Sequence, residues 1–441
     1  MIGCRRVGAR AARLPAFAAA LTATLLGRTL AAQGDSAAQS DGAAQADSAP
    51  PPHVPTSYDI VLVDSDTGAH FVGEVQTGWR LASDRPVGMK LDSALRVVRV
   101  LVDGRPNTRI SRTMYGRGGN DVVVPHQKAA GDTLSTRVRY HGIPRGGLRV
   151  GSDRAGARAL TAETAGGRAS LWLPVPESGE GRVTVAWHVQ ALAGQRVVAN
   201  GTLTRVDTLA YGHTTWHFAL DMPVPLTSLA VVAGRFAVTA LPRGTCPDPC
   251  APVTLWTPPD DSGAAASGPF RRAGEIADYM SARLGPLPYP GLAHVSSPLP
   301  PAGRPGASIV LYDGAQVHAG TITEQDVARA TAAQWLGNAV DEAGLDQQGP
   351  SDAAAAYLAW LWTRDAAGGH ARGGVMLTRG VDAFRRLHRT VGDSAFFRGL
   401  RRYVDENRHA TAAPGALERA MAEAAGRRLD WTFDRAARTT R

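Results

Sequence analysis

Lysine, cysteine and long apolar runs are all scarce in this 441-residue chain. Lys90 and Lys128 are the only lysines, so nearly all of the positive charge on its 48 Lys+Arg residues is arginine. With so much Ala and Gly, that bias fits a GC-rich genome better than a binding surface. Aromatics make up 6% of the residues and none interleave with a basic cluster, which argues against nucleic acid as a partner. No stretch of about 18 uninterrupted apolar residues exists, so no membrane span is expected. Of three cysteines, Cys4 lies in the first residues and only Cys246 and Cys250 lie further on, in Cys-Pro-Asp-Pro-Cys. A zinc knuckle needs a second pair of soft ligands, and a redox motif needs the spacing C-x-x-C. An intrachain disulfide that closes a tight loop in an oxidising compartment is the expectation.

The amino terminus supplies that compartment. Arg5, Arg6, Arg10 and Arg13 precede an apolar run from Leu14 to Leu26, and small residues follow around Leu30-Ala31-Ala32. Charged, greasy and cleavable parts in this order predict a secretory signal peptide over residues 1–32, hence a protein exported to the periplasm or secreted. Cys4 precedes the apolar run, where a lipoprotein cysteine cannot lie. Arg5-Arg6 also fits twin-arginine export, although such pairs are common in ordinary leaders. Loss of this segment removes five arginines and no acids, lowering the formal charge from +9 to +4. Residues 33–56 are Ala, Gln, Ser, Asp and Pro with almost nothing to bury, and are expected to form a disordered linker.

Residues 57–257 read as β. Tyr58–Val63, Val75–Leu81, Leu95–Val102, Ser135–Tyr140, Val183–Val189 and Thr214–Leu220 are β-branched or aromatic runs, punctuated by Asp-Gly, Gly-Arg-Pro and Gly-Gly turns. A Pro/Asp/Gly-rich linker is expected at 258–269, and from 270 to 441 the period becomes helical. Ala273, Ile276, Ala277 and Met280 share one face; Phe384 and Leu387, then Phe396, Phe397, Leu400 and Tyr403, mark two more, and Pro414–Gly426 bounds another. Thr323 with Asp326 three residues on is a helix start, and Gly337-Asn338 a stop.

The helix so bounded contains Val327-Ala-Arg-Ala-Thr-Ala-Ala-Gln-Trp-Leu-Gly-Asn338, and Asp352 and Tyr357 follow it without a gap in the count. This resembles the H-E-x-x-H-Q-W-x-G-N helix and the following E-G-F-A-x-Y phrase of the membrane alanyl aminopeptidase (aminopeptidase N) family of zinc metallopeptidases, the gluzincins. Gly285-Pro-Leu-Pro-Tyr289, Gly392–Tyr403, Leu229–Phe236, Trp172-Leu-Pro-Val-Pro and Leu429-Asp-Trp-Thr-Phe433 are similar to further family phrases in the same order. The resemblance implies an α+β multidomain fold, with an N-terminal antiparallel β-rich domain followed by a mostly helical thermolysin-like domain.

In that family two histidines and a glutamate hold zinc while a second glutamate polarises water. The ligand positions here are Arg329, Ala333 and Asp352, and the general-base position is Ala330. A guanidinium has donors only, and alanine has no donor atom to offer. The carboxylate that holds a substrate's amino group falls at Pro305, and the transition-state tyrosine at Leu377. Single histidines elsewhere do not rebuild the site: His213 and His217 are roughly 13 Å apart along a strand, and His318, His370 and His388 read as isolated residues. Arg329 and Asp352, of opposite charge, are expected to pair across the two helices, partly buried and through two hydrogen bonds, in place of the metal. Asp352 also has the plainer reading of an acid in a helix's first turn.

The resemblance therefore implies an aminopeptidase-family pseudoenzyme with no cofactor, whose partners are peptides or an active paralogue. Two rivals stay open. One is a working zinc aminopeptidase with a rearranged site, which would need zinc; the other is a structural envelope protein.

Overall fold

Strict two-residue alternation organises the central strands of the first half of the chain. In Arg182–Ala191 the side chains of Val183, Val185, Trp187, Val189 and Ala191 are buried while the residues between them face outward. This strand belongs to an eight-stranded sheet made of β1 (Val54–Asp64), β2 (Phe71–Arg80), β3 (Leu95–Val102), β4 (Arg105–Pro106), β5 (Thr133–Gly142), β6 (Arg182–Ala191), β7 (Thr202–Thr208) and β8 (Thr214–Pro225), in the spatial order β7-β8-β6-β1-β2-β5-β3-β4. All six β runs read from the sequence fall in this one sheet. Its pairs are antiparallel except β1 with β6, which run parallel with Tyr58 opposite Val185. Gly73 on β2 lies opposite Tyr140 on β5, and any Cβ there would strike the Tyr140 ring.

The computed structural model describes residues 52–64, 68–106, 111–115, 119–244, 246, 250–263, 268–301, 303, 305–342, 349–366, 379–431 and 433. The expected leader, most of the 33–56 linker, His370 and Leu377 lie outside the described residues. Two further four-stranded sheets pack in the β half, one of Leu148–Ser152, Arg158–Glu163, Ala230–Gly234 and Arg196–Ala199, the other of Val87–Asp92, Ser111–Tyr115, Gly119–Val124 and Val175–Pro176.

The sheet of the second half crosses the expected 258–269 boundary. Ala237–Leu241 and Val253–Thr257 form an antiparallel pair, and Leu292–Ser297 and Ile309–Asp313 extend it in parallel. Seven α-helices of five or more residues follow among the described residues: α1 (Ala273–Leu284), α2 (Gly314–His318), α3 (Glu324–Ala332), α4 (Pro350–Ala366), α5 (Arg379–Val391), α6 (Asp393–Glu406) and α7 (Ala416–Ala425). The expected apolar faces form their core: Ile276, Met280, Phe384, Leu387, Phe396, Leu400 and Tyr403 are all buried there. Residues 50–441 are one compact unit. Tyr289, Ala307 and Ala339 from the helical half join the hydrophobic core of the β half.

Candidate functional site

The helix α3 starts as its sequence demands. Thr323 accepts a hydrogen bond from the Asp326 backbone N–H at 3.2 Å, while Asp326 accepts one from the Thr323 backbone N–H at 2.9 Å. This reciprocal cap satisfies two donors that a helix start leaves unpaired. The far end differs from expectation: the α-helix stops at Ala332, with Ala333 as its C-cap, rather than at Gly337-Asn338. Beyond it the chain widens, with Asn338 N–H donating to Ala333 O at 3.1 Å and Ala339 N–H to Gln334 O at 3.0 Å. Gly337 sits at φ 116°, which a side chain would strain.

That widened turn lets two buried amides reach one loop. Gln334 Nε2 donates to Gly306 O at 3.1 Å, its Oε1 accepts from the Ser308 backbone N–H at 2.8 Å, and Asn338 Nδ2 donates to the same Gly306 O at 3.0 Å. Ser308, a non-glycine residue at φ 62°, is held there, and its hydroxyl accepts from Gly201 N–H at 2.7 Å. Trp335, fully buried, donates from Nε1 to Gly285 O at 3.0 Å. Arg182 of β6 ties the β half to this region by donating to Asp341 at 2.7 Å and to Asn338 O at 2.9 Å.

A cleft of about 450 Å³ opens beside the turn, lined on one side by Pro305, Ala333, Asn338, Glu342 and Asp352 and on the other by His53, Glu180 and Thr227. Three of the positions singled out from the sequence, Pro305, Ala333 and Asp352, therefore meet at one cavity. Arg329 Nη2 lies 3.0 Å from Oδ1 and 3.0 Å from Oδ2 of Asp352. The two expected hydrogen bonds across the helices are both made, by one nitrogen, while the side chains are 54% and 33% exposed, so Asp352 is half-buried and Arg329 lies more open than expected. Asp352 lies in the first turn of α4. Ala330 is buried.

The donor set at this cleft does not fit zinc. Arg329, Ala330 and Ala333 supply no ligand atom, Asp352 is engaged by a guanidinium, and among the described residues no group of three or more His, Cys, Asp or Glu side chains could hold a metal ion. Glu342 is a further, half-buried acid of the cleft. Burial pushes its carboxyl up, opposed by donation from Ser351 Oγ at 2.6 Å and Tyr403 OH at 2.7 Å.

Tyr357 faces elsewhere. Its hydroxyl meets His388 Nδ1 at 2.8 Å, and His388 Nε2 lies 2.6 Å from Asp393, beside a second cavity of about 360 Å³ that Trp360 and Arg385 also line. Burial pushes the His388 imidazole below its ordinary value, and Asp393 partly opposes this. His318 is held by Asp261 at 3.0 Å and Arg154 at 3.1 Å. Cys246 and Cys250 are joined by a disulfide with a Cα–Cα distance of 5.5 Å.

Sequence reading missed one constellation, the facing of His217 by His188 from the neighbouring strand. The repeated pairs Trp187-His188 and Trp216-His217 were its only trace.

No protein-family profile matches this chain, and no curated protein matches it. Solved structures do. An M1 zinc metallopeptidase from Deinococcus radiodurans superposes with a TM-score of 0.67 at 20% identity, over 88% of this chain and 93% of that one. A glutamate-to-alanine variant of the Deinococcus metallopeptidase, crystallised with a Tyr-Ser-Ala substrate, gives a TM-score of 0.65 at 20% identity over the same shares. A two-domain form bound to L-tryptophan gives 0.66 at 20% identity, over 88% and 94%. The chain has the fold of the M1 zinc metallopeptidases.

Proposed function

We propose that this chain is an exported pseudopeptidase, which holds peptides in the cleft beside α3 and does not hydrolyse them. The observation that carries the reading is the chemistry of Arg329, Ala330, Ala333 and Asp352 at the positions where the resemblance places a metal and its base. An ion pair takes the place of a metal link, and no side chain there activates water. The cleft itself persists at about 450 Å³, a size that accommodates a short peptide. A variant of the Deinococcus metallopeptidase holds a tripeptide, which supports the same class of ligand for this chain.

Protein purified without chelator is expected to contain far less than one zinc per chain and to leave aminoacyl chromogenic substrates intact. In calorimetry it should still bind tripeptides, and Thr227→Trp, at an exposed residue of the cleft wall, should abolish that binding. Stoichiometric zinc with hydrolysis stopped by chelation would establish the working-enzyme alternative instead. Failure of every peptide tried, with no zinc, would leave a scaffold and refute the binding reading.

A further inference from the structure

The outward face of the eight-stranded sheet carries a row of four side chains from four adjacent strands: Asp207 on β7, His217 on β8, His188 on β6 and Asp59 on β1. His188 and His217 stand directly opposite each other in the β6–β8 ladder, where cross-strand side chains are closest. His188 Nε2 lies 3.1 Å from Asp59 Oδ1, and His217 Nε2 lies 3.0 Å from Asp207 Oδ2. Their Nδ1 atoms point at one another across 2.6 Å, with the rings edge to face.

Proton bookkeeping makes this arrangement informative. An ionised carboxylate only accepts, so each Nε2 that bonds its aspartate carries a hydrogen; the other tautomer of His217, with Nε2 accepting from Arg205 at 3.4 Å, gives up the shorter 3.0 Å bond to Asp207. A neutral imidazole carries one N–H. Two neutral rings satisfied at Asp59 and Asp207 therefore aim two bare Nδ1 lone pairs at each other, which is repulsive unless a cation lies between them. A carboxylate on the far ring nitrogen is also the arrangement that orients a metal-ligating histidine and strengthens it as a donor.

From this we infer that His188 and His217 form a two-ligand site, short of the three protein ligands a resident zinc needs, for an imidazole-favouring divalent ion of the copper(II) kind bound by the two Nδ1 atoms. Metal–nitrogen bonds of about 2.0–2.1 Å at tetrahedral or square-planar angles put the two nitrogens about 2.9–3.4 Å apart. From their 2.6 Å contact the rings need to open by about 0.3–0.8 Å, least for a square-planar ion. His188 is 32% exposed and His217 13%, so water can complete the coordination from the outward side. Arg205 is the nearest fixed cation: its Nη2 lies 2.9 Å from Asp207 and 3.4 Å from His217 Nε2. It sits on the carboxylate side of His217, so it weakens the site without occupying it. The site lies on the β sheet and owes nothing to the cleft chemistry.

The test titrates the chelator-stripped full chain with copper(II), followed by calorimetry and electron paramagnetic resonance. One equivalent with a nitrogen hyperfine pattern is expected, lost in His188→Gln and in His217→Gln. Asp59→Asn should weaken it about 10–100-fold, as outer-shell changes do. His141→Ala, on another strand of the sheet and in a second histidine pair where its Nδ1 meets His70 Nε2 at 3.1 Å, should leave it unchanged. In the unaltered protein, substoichiometric copper should broaden the ring signals of His188 and His217 first, a readout that needs no variant to fold. Equal copper affinity in both glutamine variants, or broadening confined to other histidines, overturns the site. Absence of any tight copper binding also overturns it and leaves a shared proton as the cation between the rings.

Discussion

Arg329 and Asp352 are joined through a single guanidinium nitrogen that lies 3.0 Å from each carboxylate oxygen. Exposed ion pairs gain little, because water already solvates both charges and two long side chains lose freedom. With side chains 54% and 33% exposed, this pair belongs to that class rather than to the buried pairs whose rupture costs several kcal/mol. The helices α3 and α4 are held instead by the packing of residues such as Val327, Ala328, Ala354 and Leu358. A double-mutant cycle with Arg329→Ala and Asp352→Ala, followed by urea denaturation, should give a coupling of about 1 kcal/mol or less. A coupling above about 2 kcal/mol, of the size a buried pair gives, would show that the pair bears the helix contact.

The residues after α3 should matter far more for stability. Trp335 is fully buried with its indole N–H bonded to Gly285 O at 3.0 Å. Trp335→Ala should cost about 3–5 kcal/mol through lost burial and a cavity. Gln334→Leu should cost about 1–3 kcal/mol, because it strips the Ser308 N–H of its buried partner. Denaturation midpoints of the two variants measure both, and a neutral Gln334→Leu would contradict the role given to the amide.

Much of this organisation was legible in the sequence because it is local. β-Branched and aromatic composition with turn punctuation marked all six runs that became strands of the main sheet, and Thr323 with Asp326 marked the start of α3. What escaped depends on partners far along the chain. β1 pairs in parallel with β6, and nothing within either run encodes that choice. Strands Ala237–Leu241 and Val253–Thr257 read as the end of the β half, yet their sheet continues in Leu292–Ser297 across the expected linker. The end of α3 was misplaced because the Gln334 and Asn338 side chains pull the chain onto Gly306, 28 and 32 residues earlier. His188 and His217 are 29 residues apart and meet only through strand register.

The disulfide gives a chemical test of export. Cys246 and Cys250 should be found joined by non-reducing mass mapping of protein recovered from the periplasm or medium. Because the bridge spans a sequence separation of only 4, its removal by Cys246→Ser with Cys250→Ser should cost no more than about 2 kcal/mol. Freely alkylated thiols in such material would refute the disulfide.

His294 should set part of the acid sensitivity of the fold. It is fully buried, with Nδ1 2.9 Å from Tyr312 OH and Nε2 without a partner, and burial pushes its pKa down to about 3. The folded state keeps this ring neutral where the unfolded chain, with an ordinary value near 6.5, takes up a proton. Stability from His294 is therefore fully present above about pH 6.5 and is lost as pH falls toward about 3, by up to about 1.4 kcal/mol per pH unit. His409, pushed down to about 4 chiefly by burial, acts in the same direction. His294→Gln should be less stable at neutral pH, yet its denaturation midpoint should fall less steeply between about pH 6.5 and 4.5, by the equivalent of one proton. An unchanged slope would mean that His294 gains no proton on unfolding, and the acid response would then have to arise elsewhere.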